Sequence, residues 1–332
     1  MNGAIYVITP YFQRQPGILR RALASVAAQT GVENVHVIII DDTSPVPPGP
    51  EIEASGLPPD RVRVIAQANT GPGPARSRGL DNIPADAGYV AFLDSDDQWL
   101  PGHLRNALDA LGDDLDFYFA NYLEPESSRD QFSNHGRIVL SQHVRRDVGS
   151  NCYRFGLNMI HQIIMGNVIE TSTVVYRWAP LRTLRFDPGL RNAFEDHAFW
   201  VRAQEMGRGF AFSTDVEVQY GRGVSIWRST FHAGSERVFL KLIDQRKYLV
   251  DMLRRHAREP EHRAKITRQI KSTRRAGVEH IAHYLRRRQK LNWSAIRSYI
   301  RLDPAFVPLF VPLMFQVFLT RQAKQQAAAA DR

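Results

Sequence analysis

The sequence predicts an α/β fold, a mixed and mostly parallel sheet flanked by helices, followed by a helical C-terminal extension. Three observations predict it. Short apolar, β-branched runs alternate with helical spacing over the first hundred residues, the pattern of a parallel sheet with helices on its faces. Three of those runs end in polar sequence, at residues 9–11, 41–42 and 94–97, and ligands of open α/β sheets gather beyond the carboxyl ends of the strands. From residue 236 onward the pattern turns helical.

Taken in order, residues 4–8 read as a buried strand, with Thr9, Pro10 and Tyr11 as the loop after it. Ile18, Leu19, Ala22, Leu23 and Val26 recur at helical spacing after Pro16 and Gly17, which predicts a helix over 18–28. A second strand, 35–40, stops at Asp41 and Asp42. A third, 62–65, precedes a loop rich in Gly and Pro and a short helix over 75–82. A fourth, 89–93, ends at Asp94. Short strand candidates at 117–120 and 172–176 complete the sheet. The expected division is a catalytic domain over 1–235 and a basic helical extension over 236–332. In the extension, Val238, Phe239, Leu242, Ile243, Leu249, Met252 and Leu253 form one apolar stripe, and Ile266, Ile270, Ile281 and Tyr284 another.

Composition bounds the function classes. A chain of 332 residues with 43% hydrophobic content can build one large core plus an appendage and is too apolar for global disorder. Its single cysteine, Cys152, excludes an intrachain disulfide framework and a Cys-based zinc cluster, favours a reducing compartment, and reads as a small buried residue. The N-terminal strand lacks a basic flank and a small-residue cleavage site, so no secretory signal is expected. Charge is divided unevenly. Residues 1–236 hold 21 Lys and Arg against 27 Asp and Glu, whereas 237–301 hold 19 against 5. An acidic body with a basic tail directs the tail, rather than the body, toward a polyanion or an anionic membrane.

The chemistry is expected at Asp94, Asp96 and Asp97 in Phe-Leu-Asp-Ser-Asp-Asp. Carboxylates crowded after a buried strand resist joint ionisation, and a divalent cation resolves the conflict. Mg²⁺ or Mn²⁺ takes one or two protein carboxylates and fills its other positions with water and phosphate oxygens. The plain alternative is a solvated acidic turn in which Asp97 caps the next helix.

Context decides between them. Val7-Ile8-Thr9-Pro10-Tyr11, Ser25-Val26 with Gln29-Thr30, Ile40-Asp41-Asp42-Thr43-Ser44, Asn69-Thr70-Gly71, Ala75-Arg76 with Gly79, and the aspartate run follow one another in about ninety residues. Glu170-Thr171-Ser172, Phe186-Asp187 and Phe194-Glu195-Asp196 continue the series, with Phe199 and Arg202 after it. This ordered set, over roughly residues 4–210, resembles the family 2 glycosyltransferases, whose fold is called GT-A, a Rossmann-like sheet. The resemblance implies that Thr9, Tyr11 and Asp42 hold the nucleoside of a nucleoside-diphosphate sugar and that Arg76 lines its pocket. It implies that Asp96 contacts the ribose, that Asp97 binds metal with Asp94 close by, and that Asp196 is the base of an inverting transfer to a glycan or lipid-linked acceptor. His232 is a weaker candidate metal or phosphate ligand, with Arg228 near it. Ser77 stands where the family commonly has asparagine, and Pro10 and Phe12 alter its usual first loop. No Gln-x-x-Arg-Trp motif follows Asp196, which argues against a processive synthase.

Residues 305–319 are apolar but interrupted by Pro308, Pro312 and Gln316, and too short to span a bilayer. Lying in the membrane interface beside Arg286, Arg287 and Arg288 is one expectation, with a cytoplasmic, peripheral position on the inner membrane face. Packing on the catalytic domain or on a second copy in a homo-oligomer is the other. Nucleic-acid binding by the tail lacks a recognition motif and is not expected. A non-catalytic nucleotide-sugar-binding subunit is disfavoured by intact Asp96, Asp97 and Asp196. Nucleotidyl transfer would need a Gly- and Lys-rich phosphate loop where residues 9–14 have neither.

Overall fold

The computed structural model describes residues 3–147, 150–223 and 237–330, with side chains through Thr320. The chain forms two compact units: Met1–Arg191 with Glu195–Val224, and Asn192–Phe194 with Ser225–Arg332.

The first unit holds strands β1 (Ile5–Tyr11), β2 (Val35–Asp41), β3 (Val62–Ala66), β4 (Tyr89–Phe92), β5 (Gln98–Trp99), β6 (Phe117–Leu123), β7 (Val144–Arg145), β8 (Cys152–Arg154), β9 (Val175–Arg177) and β10 (Phe210–Gln219). They form one sheet in the order β3-β2-β1-β4-β9-β6-β10-β8-β7, with β5 paired to β10. β3, β2, β1 and β4 are parallel, as are β6 and β10. β9 enters antiparallel between β4 and β6, and β8 and β7 close the far edge antiparallel. The mixed, mostly parallel sheet of the sequence reading is therefore the fold observed.

Its helices are α1 (Ile18–Ala27), α2 (Pro48–Glu53), α3 (Pro72–Leu80), α4 (His103–Leu111), α5 (Gln131–His135), α6 (Met159–Gly166), α7 (Trp178–Leu181) and α8 (Glu195–Met206). On one sheet face Ile5, Val7, Val37, Ile39 and Ala91 pack with Leu19, Leu23 and Val26 of α1 and Leu104, Leu108 and Leu111 of α4. Each such side chain contributes roughly 1.5–3 kcal/mol by leaving water. Gly79 of α3 meets Ile8 instead, and a Cβ there would stand 2.5 Å from Ile8 Cγ2. Only glycine admits α3 this close to β1.

Residues 9–11, read from sequence as loop, are strand. Thr9, Pro10 and Tyr11 pair with Ile39, Ile40 and Asp41 of β2. Proline is tolerated because pairing with β4 ends at Ile8↔Phe92. The Ile8 carbonyl accepts from Leu93 N at 3.1 Å on that side, so the missing Pro10 N–H faces the direction in which the ladder has ended. The helix expected over 75–82 begins earlier, with Pro72 in its first turn, where an N–H has no intrahelical partner. The strand expected over 172–176 is a 3₁₀ turn, Thr171–Thr173, followed by β9.

The second unit is helical: α9 (Val238–Arg255), α10 (Pro260–Arg286), α11 (Trp293–Leu302) and α12 (Phe306–Ala330). Phe239, Leu242, Ile243, Val278, Ile281, Ile296, Tyr299 and Phe306 form its core. Within this unit Asp244 Oδ2 accepts from the Asn192 N and Nδ2 at 2.8 Å each, and Phe194 stacks on Tyr248. The prolines expected to interrupt residues 305–319 do not break α12. Pro308 falls in the first turn, and the helix runs on through Pro312, which lacks one interior hydrogen bond.

Candidate active site

The site gathers where β1, β2 and β4 end. Leaving β4, the chain turns through Asp94 to Asp97, and Asp97 N donates to the Asp94 carbonyl at 3.1 Å. Ser172, wholly buried after the sheet reverses, holds this turn from the other side. Its Oγ donates to Asp97 Oδ2 at 2.5 Å and accepts from Asp94 N at 3.0 Å. Trp99 Nε1 donates to the Ser172 carbonyl at 2.7 Å and so fixes Ser172 in turn.

Residues just beyond β10 close over the same turn. Gly221 N donates to Asp97 Oδ1 at 2.9 Å, and Gly223 N donates to Asp96 Oδ2 at 2.9 Å. A Cβ on Gly221 would fall 1.5 Å from the Asp96 carbonyl oxygen, and one on Gly223 2.5 Å from Asp96 Cβ. Glycine is required at both positions by contact alone. Sequence reasoning passed over both glycines, because nothing local marks Tyr-Gly-Arg-Gly. It quoted Ser172 and Glu170 within the ordered series without giving either a role.

Electrostatics sharpen the picture. Burial pushes the Asp97 carboxyl well above the usual carboxylate range, and Asp96 and Asp94 push it further. Burial, then Asp196 and Asp94, raise Glu170 to about 7. Glu195, in the first turn of α8, is pushed up to about 8 by burial and by Asp196, against the pull of Arg76. Asp94, Asp96, Asp97, Glu170, Glu195 and Asp196 thus feel one another as a single acidic group. Arg76, buried on α3, donates to Asp94 Oδ1 at 2.5 Å and lies 5.5 Å from the Phe186 ring centre. Burial pulls its guanidinium down, but Asp94, Glu195 and Asp196 more than compensate, and it stays charged.

The remaining candidates are placed as follows. Asp42, just after β2, spends its carboxylate on the following loop. Gln67 Nε2 and Thr70 N donate to Oδ1 at 2.8 Å each, and Gly71 N donates to Oδ2 at 2.9 Å. Thr9 and Tyr11 have fully buried side chains, with exposures of 0% and 1%. They sit on the core side of β1, whereas Pro10 and Phe12 are partly exposed. Asp196 accepts at Oδ1 from His197 N at 2.7 Å in the first turn of α8. His232 and Arg228 lie outside the described residues. Cys152 is partly buried on β8, and burial with Glu217 raises its thiol to about 12, which keeps it an inert thiol at neutral pH.

Comparison with known proteins bears on the family and the fold. The family model described as "Glycosyl transferase family 2" matches residues 6–184. The succinoglycan biosynthesis protein ExoW of Rhizobium meliloti is 33% identical over 91% of this chain and 94% of its own. The minor teichoic acid biosynthesis protein GgaA of Bacillus subtilis is 33% identical over 32% of this chain and 24% of its own. Among solved structures, S. aureus TarS residues 1–349 in complex with UDP-GlcNAc superposes with a TM-score of 0.58 at 17% identity, covering 92% of this chain and 80% of that one. The mannosyltransferase PcManGT of Pyrobaculum calidifontis, in complex with GDP-Man and Mn²⁺, gives 0.52 at 15% identity, covering 99% and 87%. At these identities the structures show a shared fold. With the family model matching residues 6–184, over half of the chain, and a relative 33% identical over nearly the whole of both chains, the chain belongs to glycosyl transferase family 2.

Proposed function

We propose that this glycosyltransferase moves one sugar from a nucleoside-diphosphate donor to a hydroxyl acceptor with inversion, using a divalent metal, in the assembly of a surface polysaccharide. The observation that carries the reading is the crowding of six carboxylates, three of them raised, against one buried arginine. Such a group is stabilised near neutrality when a cation joins it; the three aspartates do not close on one ion by themselves, and one or two carboxylates of the 94–97 turn, completed by phosphate oxygens of the donor, would hold Mn²⁺ or Mg²⁺. The metal supplies charge neutralisation of the leaving diphosphate.

The chain's own residues divide the remaining work. Ser172, Gly221 and Gly223 fix the aspartate turn before substrate arrives, so little reorganisation is left for the reaction. Asp42 holds the 67–71 loop that leads into α3 and Arg76, and Arg76 supplies a fixed positive charge. Asp196, set on the first turn of α8, takes the proton from the acceptor hydroxyl as that oxygen attacks the anomeric carbon. Asp196→Asn is expected to lower kcat at least 1,000-fold (on the order of a lost general base and its positioning) while donor binding stays within about threefold. Retained turnover removes Asp196 as the base, and a retained anomeric configuration in the product, read by NMR, removes inversion. For Asp97→Ala the metal-dependent part of donor binding should vanish; binding indifferent to chelator rejects the metal.

The relatives named for succinoglycan and teichoic acid biosynthesis favour a surface-polymer acceptor, and α12 supports a peripheral location on the inner membrane face. Phe310, Leu313, Met314 and Val317 pack on the core of their own unit. Val307, Val311, Phe315 and Phe318 form a second stripe, on an exposed side of the helix, and are 56–74% exposed. No single helix among the described residues is long and apolar enough to cross a membrane. An apolar stripe on a strongly basic unit suits docking into an anionic lipid interface.

A further inference from the structure

A cavity of about 290 Å³ lies in the helical unit, lined by Arg246, Lys247, Val250, Asp251, Arg254 and Leu302. That is near the lower limit of small-ligand sites. Lys247, Val250, Asp251 and Arg254 recur every three or four residues, so α9 presents them on one face. The floor is Arg246, whose side chain is nine-tenths buried.

The charges around this floor do not balance. Asp303, 2% exposed, is taken bidentately by Arg274, with Nε to Oδ2 at 2.7 Å and Nη2 to Oδ1 at 2.9 Å. Arg246 reaches the same carboxylate only through Nη2 at 3.3 Å, and its buried Nε and Nη1 have no hydrogen-bond partner. One acid is thus shared by two guanidinium groups. Asp251 lies 3.6 Å from Arg255 and Asp244 3.7 Å from Lys247, so the two nearby acids are engaged as well. A buried guanidinium with spare donors is costly unless an anion meets it.

We infer that this cavity binds a phosphate monoester group, through Arg246 at its base and Lys247 and Arg254 at its rim. The guanidinium fork matches phosphate oxygens, and three cations gathered on one helix match a dianion better than a singly charged carboxylate. Val250 and Leu302 offer apolar surface to the organic part of the ester. The inference goes beyond sugar transfer and does not depend on it.

Two sources share this chemistry, a lipid headgroup and free phosphate, and the test separates them. Thermal unfolding of the full chain is compared in inorganic phosphate and in chloride at equal ionic strength. Flotation is compared with phosphatidylcholine vesicles containing phosphatidic acid, a monoester, or phosphatidylglycerol, a diester. Lys247→Gln/Arg254→Gln changes two exposed side chains and keeps the fold; Arg246→Gln leaves Arg274 on Asp303. The expected result is a rise in Tm of several degrees with phosphate, or at least fivefold preference for phosphatidic acid over phosphatidylglycerol, either one falling at least fivefold in both variants. The phosphate response alone identifies free phosphate, and the vesicle response alone identifies the headgroup. A response unchanged in Lys247→Gln/Arg254→Gln, or no response by the unsubstituted chain in either arm, overturns the site.

Discussion

Asp97 and Glu195 show what single residues contribute. Each is a carboxyl held where its charge is disfavoured, and each is surrounded by further acids. A carboxyl raised in the folded state binds more protons folded than unfolded between its two pKa values, so its stabilising contribution is complete at low pH and lost as pH rises through the folded value. For Glu170 and Glu195 that window runs from about 4.5 up to about 7 and 8. Metal-free protein should therefore lose several degrees of Tm between pH 5 and pH 8.5, and Mn²⁺ should restore stability at the upper end. A flat Tm profile across that range would contradict the acidic crowding. The glycines over the turn make a second prediction. Gly223→Ala forces Asp96 aside, and a displacement of the order of 1 Å at a reacting centre costs about 100-fold. A turnover within threefold of the parent would show that Gly223 does not fix Asp96.

At the scale of elements, the sheet is stabilised beside the site by a buried polar junction. Glu217 on β10 accepts from Tyr118 on β6 at 2.8 and 2.9 Å, from Asn106 on α4 at 3.0 Å, and lies 2.8 Å from His103 Nδ1. β10 therefore reaches α4 and β6 through one carboxylate, and its far end leads into Gly221 and Gly223. Removing one partner of such a buried set leaves the others unpaired. Glu217→Ala should cost about 3–5 kcal/mol, measured by urea unfolding, with Glu217→Gln recovering a good part of it. A loss below about 1 kcal/mol would mean that His103 and Tyr118 find water instead.

For the whole molecule, the two units carry opposite tasks and opposite charge. The acidic sheet unit holds the carboxylate cluster proposed as the transferase site, and the basic helical unit presents the apolar stripe of α12. Val311→Asp/Phe315→Asp changes only exposed positions of that stripe, so transfer to a small soluble acceptor should persist while co-flotation with anionic vesicles falls at least tenfold. Equal flotation by parent and variant rejects lipid docking, and a change from dimer to monomer on the same substitutions would assign the stripe to a second copy.

The sequence by itself determined the alternating strands and helices, the aspartate turn at the end of β4 and the family, because these are written in local periodicity and in ordered short motifs. Asp94 to Asp97 and Arg76 were legible for that reason, and folding joins them in one charged group with Asp196. Only tertiary structure decided the rest. Thr9 and Tyr11 belong to a strand because β2 pairs with them, a partner 30 residues away that local sequence does not name. Asp42 is committed to a loop that begins 25 residues later. Ser172, Gly221 and Gly223 lie from 75 to 127 residues beyond the aspartates they fix. Such contacts follow from which chain segments the sheet brings side by side, and at those separations neither periodicity nor motif spacing carries the information.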